Sequence, residues 1–103
     1  MKTFRTFQLA VQLYRLATTL KLSAHLRDQL LRAAASAALN IAEGAAKASP
    51  RDRARFFEIA YASTREVQAV LALSATVHDA AAQLADALGG SLYRLVQNNR
   101  REG

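Results

Sequence analysis

Apolar residues recur every three or four positions along almost the whole chain, and no segment alternates with a period of two. That spacing specifies α-helices and leaves a strand nowhere to form. The phase breaks at three places, so the chain divides into four helices, expected at about 4–21, 24–46, 50–77 and 79–98. Thr3 is placed to cap the first helix, whose stripe is Phe4, Phe7, Val11, Tyr14 and Ala17 or Thr18, widened by Leu9, Leu13, Leu16 and Leu20. Ser23 opens the second, with Leu26, Leu30, Ala33 or Ala34, Ala37 and Ile41 as its stripe and Gly44 marking its end. The strongest local signal is Ser49-Pro50-Arg51-Asp52. Serine caps, proline occupies the first helical position, and Asp52 sits three residues on, near the positive end of the helix dipole. The third stripe runs through Phe56, Ile59 or Ala60, Ser63, Val67, Val70 or Leu71 and Ser74. Asp79 is placed to cap the fourth helix, which carries Leu84, Leu88, Leu92 and Leu95 or Val96. Gly89-Gly90 lies inside that stripe and weakens the helix by roughly 2 kcal/mol against alanine, so a bend or a close helix crossing is expected there. The tail from Asn98 is expected to fray.

Four helices joined by short turns must run antiparallel to their neighbours. The expected fold is all-α: a single domain over residues 1–103, an antiparallel up-down-up-down four-helix bundle with alanine-rich seams on the second and third helices. The 23 alanines fit such seams. A chain of 103 residues buries only about two thirds of the surface it exposes when unfolded, and Leu9, Leu13, Leu16, Leu20, Leu31 and Leu39 exceed what one small core needs. Both facts favour a homo-oligomer. The absence of cysteine excludes a disulfide scaffold and a thiolate zinc site. No apolar run approaches the roughly 18 residues of a membrane span, and no signal-peptide pattern opens the chain; a cytoplasmic protein with no membrane partner is expected.

Polar residues interrupt the apolar faces at helical spacing. Arg32, Ser36, Asn40 and Glu43 form one stripe on the second helix, and Arg55, Glu58, Ser63 and Glu66 are candidates to face it. If the hairpin turns about Lys47-Ala48, facing residues have numbers that add to about 96. Two interhelical ion pairs follow as expectations, Glu43 with Arg55 and Arg32 with Glu66, which would fix helix register rather than perform chemistry.

The residues of this stripe also belong to a recognisable pattern. Arg32-Ala33-Ala34-Ala35-Ser36-Ala37-Ala38-Leu39-Asn40-Ile41-Ala42-Glu43-Gly44 resembles the R-A-A-x-S-I-P-x-N-I-A-E-G signature of the four-helix-bundle proteins first noticed as products of intervening sequences in large-subunit ribosomal RNA genes. Arg55-Phe56-Phe57-Glu58-Ile59-Ala60-Tyr61-Ala62-Ser63-Thr64-Arg65-Glu66 is similar to the family's second block, R-F-x-x-I-A-x-G-S-x-x-E. Two departures stand out: Ala37-Ala38 replaces Ile-Pro, removing a helix kink, and Ala62 replaces glycine. The resemblance implies a four-helix bundle that self-associates, with pentamers among relatives. It also implies kinship with the accessory proteins of diversity-generating retroelements, which bind a reverse transcriptase and nucleic acid. For Arg32, Ser36, Asn40, Glu43, Gly44, Arg55, Phe56, Ser63 and Glu66 it implies a structural role.

Charge placement is a separate line of argument. The formal charge is +6, made by eleven arginines and three lysines against eight acidic residues. An up-down-up-down bundle gathers at one end Lys2, Arg5, Lys47, Arg51, Arg53, Arg55, Arg94, Arg100 and Arg101 against Glu43, Asp52, Glu58 and Glu102, a surplus of five. Lys2, Arg5, Lys47, Arg51, Arg53, Arg100 and Arg101 are therefore candidates to bind RNA or DNA through its phosphates, with weak sequence preference and strong salt dependence. Phe4, Phe7, Phe56 and Phe57 all fit core stripes, so no aromatic stacking surface is evident. An assembly or adaptor protein that holds a protein partner is the alternative. An enzyme is not expected. His25 and His78, with Asp28 and Asp79 nearby, fall short of three converging metal ligands. Gly89-Gly90 lacks the Lys-Ser/Thr of a phosphate loop, and no cofactor is called for.

Overall fold

The computed structural model describes residues 2–103 and contains four α-helices: α1 (Lys2–Ala17), α2 (Ala24–Ala45), α3 (Pro50–Leu73) and α4 (Asp79–Glu102). Among these residues there is no strand. Each helix packs on its neighbours in chain order and α4 closes the ring against α1, while the backbones of the diagonal pairs stay apart. Ser36 meets Ser63 and Gly44 meets Phe57, so α3 runs antiparallel to α2. Arg53 meets Asn99 and Gln68 meets Asp86, so α4 runs antiparallel to α3. The result is a rod of 42 × 19 × 18 Å. No helix is long and apolar enough to cross a membrane.

The caps explain most of the boundaries. Ser23 Oγ accepts from the Leu26 amide, and Ser49 Oγ accepts from the Asp52 amide at 3.1 Å, with Pro50 in the first turn as expected. Other ends differ from expectation. Thr3 lies inside α1 rather than capping it. α1 stops at Ala17 because Thr18 and Thr19 turn their hydroxyls back onto the Arg15 and Leu16 carbonyls, and Arg27 holds the Thr18 and Leu20 carbonyls. α3 ends at Leu73, not 77: Ser74 closes it, and its hydroxyl lies 3.2 Å from His78 Nε2. His78, not Asp79, is the capping residue of α4, and its side chain makes no capping bond. The tail does not fray, since α4 continues to Glu102 and buries Asn99.

The core is built from small residues on α2 and large ones facing them. α2 contributes Leu30, Ala33, Ala34, Ala37 and Ile41, and α4 contributes Leu88, Leu92, Leu95 and Val96, as expected. The stripe of α1 is out of phase with expectation, while that of α3 keeps the expected Ala60, Val67 and Val70 and differs at Phe57 and Thr64. On α1 the buried line is Thr6, Ala10, Leu13 and Ala17, which leaves Phe4 61% exposed and Tyr14 at the surface. On α3 Phe57, not Phe56, is fully buried, alongside Ala60, Thr64, Val67 and Val70. On the buried line of α1, Thr6 shares a hydrogen bond with the Ser91 hydroxyl of α4. Most of the supposedly surplus leucines are absorbed by the fold. Leu13 is buried, and Leu9, Leu16, Leu20 and Leu31 pack against the core, so only Leu39 remains fully exposed.

The glycines have roles other than those expected. α4 passes through Gly89-Gly90 as one helix. A Cβ at Gly89 would lie 3.9 Å from Thr64 Cγ2 and one at Gly90 3.6 Å from Arg94 Nη1, both ordinary contacts, so no tight crossing requires them. Gly44 is the position of close approach. It lies within α2 with no positive φ, and a Cβ there would meet Phe57 Cε1 at 2.7 Å.

Candidate nucleic-acid interface

The start of α1, the start of α3 and the end of α4 come together at one end of the rod. Lys2, Arg53 and Arg101 line one cleft there, and Arg51, Arg55 and Arg100 line a second between α3 and α4. The backbone of Gly103 abuts that of Arg51, which fixes the end of α4 against the first turn of α3. The basic residues at this end are not equivalent. Arg53 is half-buried: Nε donates to Asn99 Oδ1 at 2.8 Å, Nη1 to the Ala48 carbonyl at 2.9 Å and the Lys47 carbonyl at 3.3 Å, and Nη2 lies 3.8 Å from Glu102. It is a strut joining α3, α4 and the α2–α3 connector. Arg100 is ion-paired with Glu58, and Arg101 donates to the Asn98 side chain. Lys47 pairs with Glu43 at 3.5 Å and lies 5.0 Å from the Phe56 ring centroid. Lys2, Arg5, Arg51 and Arg55 are exposed and form no ion pair among the described residues. Asp52 and Glu58 line the second cleft with its three arginines and leave a surplus of one positive charge.

The polar stripe of α2 meets α3 on a half-buried seam. Ser36 Oγ and Ser63 Oγ share a hydrogen bond of 2.8 Å, and Asn40 Nδ2 donates to the Ser36 carbonyl and hydroxyl at 2.9 and 3.2 Å. Gly44 admits the Phe57 ring one level below, with Phe56 Cβ beside it. The two expected ion pairs do not form. Glu43 turns to Lys47 on its own helix, and Arg32 and Glu66 point outward into solvent. Register alone does not separate them, since both expected pairs have numbers that add to 98, close to the 99 and 101 of the facing pairs Ser36 with Ser63 and Gly44 with Phe57; all four charged side chains lie on exposed faces beside the seam. The chain runs on past Ala45 before it turns, so the first turn of α3 overhangs the end of α2. A neutral hydroxyl pair and a close-packed ring therefore set the alignment that charges were expected to set.

A sequence model of the 23S rRNA-intervening sequence protein family matches residues 4–97. The chain belongs to that family. The match spans all four helices, including both signature blocks. No curated protein and no solved structure gives a significant match. In this intervening-sequence protein the signature residues fall into two groups, those that hold the α2–α3 seam (Ser36, Asn40, Gly44, Ser63) and those at its exposed margins (Arg32, Glu43, Arg55, Glu66), with Phe56 half-buried between them.

One arrangement escapes the stripe patterns altogether. Tyr61 on α3 and Tyr93 on α4 pair across a groove, ring centroids 6.3 Å apart and tilted by 55°. Arg65, Arg94 and the two glycines Gly89 and Gly90 complete the groove. Aromatic and basic side chains thus meet at the surface, against the expectation that none would. The available signal is Tyr93-Arg94 three and four residues after Gly90, set beside Tyr61 and Arg65 one helical turn apart. His25 and His78 remain apart from any acidic cluster: among the described residues no group of three or more His, Asp or Glu could hold a metal ion.

Proposed function

We propose that this intervening-sequence protein is a non-enzymatic, self-associating cytoplasmic bundle that binds RNA or DNA through its basic end. The observation that carries this reading is the convergence of six basic side chains, Lys2, Arg51, Arg53, Arg55, Arg100 and Arg101, around two clefts lined by three carboxylates. Phosphates neutralised by such residues release counterions, so affinity rises with each contact and falls steeply with salt. Fluorescence anisotropy with labelled RNA and single-stranded DNA tests it. Reversing Arg51, Arg55 and Arg101 to glutamate together should weaken binding more than tenfold and flatten the log–log salt slope by about 3. Equal binding by wild type and variant in low salt would refute the reading. Arg53 is not a suitable target, because its loss would loosen the fold that presents the others.

A second reading rests on a different observation. Leu39 is 67% exposed and Ile59 44% exposed at one level of the α2–α3 seam. An apolar pair of this kind on the outer face supports protein contact, either self-association or a partner such as the reverse transcriptase implied by the family resemblance. Co-purification distinguishes the two readings: nucleic acid retained through washing favours the first, a stoichiometric protein partner favours the second.

A further inference from the structure

We propose that the α3–α4 groove floored by Gly89 and Gly90 is a stacking site for an unpaired base of a single-stranded nucleic acid. This deepens the basic-end reading and rests on it.

The glycines are the starting point. They weaken α4, and neither is demanded by helix packing, since both have room for a methyl group at ordinary contact distance. Gly89 is buried beneath the groove, and the half-buried Gly90 gives it an open floor. Above it stand Tyr61 and Tyr93, the latter 55% exposed, and the groove is shallow and open to solvent. The Arg94 guanidinium lies beside Gly90, 3.6 Å from where a Cβ would stand. On the α3 side Arg65 donates to Gln68 Oε1 at 3.2 Å, and Gln68 donates to Asp86 Oδ1 at 2.7 Å. The one carboxylate lining the groove is thereby engaged, while two guanidiniums line the same groove.

Charge and shape select the occupant. A tyrosine face accepts any base by stacking, and arginine adds cation–π attraction and a phosphate contact. A duplex keeps its bases stacked inside and cannot offer one. The groove also lies on the α3–α4 side that carries Arg51, Arg55 and Arg100 at the basic end. Arg94 and Arg101 are seven residues apart on one helix, about 10 Å, so a strand held at the end can reach the groove without leaving the α3–α4 face.

The test compares labelled oligo(dT), an abasic deoxyribose-phosphate strand of the same length and charge, and a duplex, each by anisotropy in low salt. The intact strand should bind about tenfold tighter than the abasic one. Tyr93→Leu and Gly90→Leu should bring it down to the abasic level, with the salt slope unchanged and the melting temperature held or raised. Tyr93→Phe should retain the preference. Equal affinity of wild type for intact and abasic strands would overturn the groove assignment and leave the basic-end reading standing. Failure of all three nucleic acids to bind would overturn both. If Tyr93→Leu alters particle size in light scattering while the base preference persists, a second copy of the chain fills the groove, and the assignment is likewise overturned.

Discussion

Gly44 and Gly89 are the same residue type in the same secondary structure, yet a methyl group added to each has opposite consequences. At Gly44 it would sit 2.7 and 2.9 Å from two carbons of the Phe57 ring, which is fully buried and cannot retreat. Gly44→Ala should therefore destabilise the bundle by about 1–3 kcal/mol, read as a lower denaturant midpoint. Gly89→Ala meets only a distant Thr64 methyl and should stabilise by up to about 1 kcal/mol. Arg53 makes a similar contrast with its neighbours. Truncating it to alanine strips Asn99 and two connector carbonyls of their donor and should lower stability by about 1.5–3 kcal/mol. Arg51→Ala should stay within about 0.5 kcal/mol by the same measurement. Neither distinction is legible in sequence, where Gly44 reads as a helix end and Arg53 as one more surface charge, because both depend on what an antiparallel neighbour brings to that level.

At the scale of the helix, legibility followed the strength of local chemistry. Ser49-Pro50-Asp52 announces the start of α3 through bonds made within four residues, and Ser49→Ala should cost about 1 kcal/mol in a thermal or chemical melt. The stripes of α2 and α4 were readable because each has one apolar face. α1 has two, Phe4-Phe7-Val11-Tyr14 and Thr6-Ala10-Leu13-Ala17, and hydrophobicity favours the former. Packing chose the latter, since the site between α2 and α4 takes small side chains and a hydroxyl paired with Ser91. The same logic moved the core position on α3 from Phe56 to Phe57. The end of α4 was misread for a related reason: polar Asn98-Asn99 suggests fraying until Arg53 arrives from α3 to occupy the Asn99 side chain.

At the scale of the molecule, the four helices and the polarised charge could be foreseen, but the level at which α2 meets α3 could not. That level depends on how far the connector runs beyond Ala45. The exposed Leu39 and Ile59 lie at this level on the outside of the seam. If they meet another copy, Leu39→Glu with Ile59→Glu should shift the species seen in light scattering to the monomer at micromolar concentration without lowering helix content. An unchanged size would remove the seam as a contact surface.

The Ser36–Ser63 hydroxyl pair has a further bearing on how the molecule behaves in solution. Hydroxyls carry no charge to screen, so the alignment of α2 and α3 is indifferent to ionic strength, whereas phosphate contact at the basic end is not. Concentrated sodium chloride should therefore detach bound nucleic acid from a bundle that still melts at its usual temperature, and desalting should restore the complex with no refolding step.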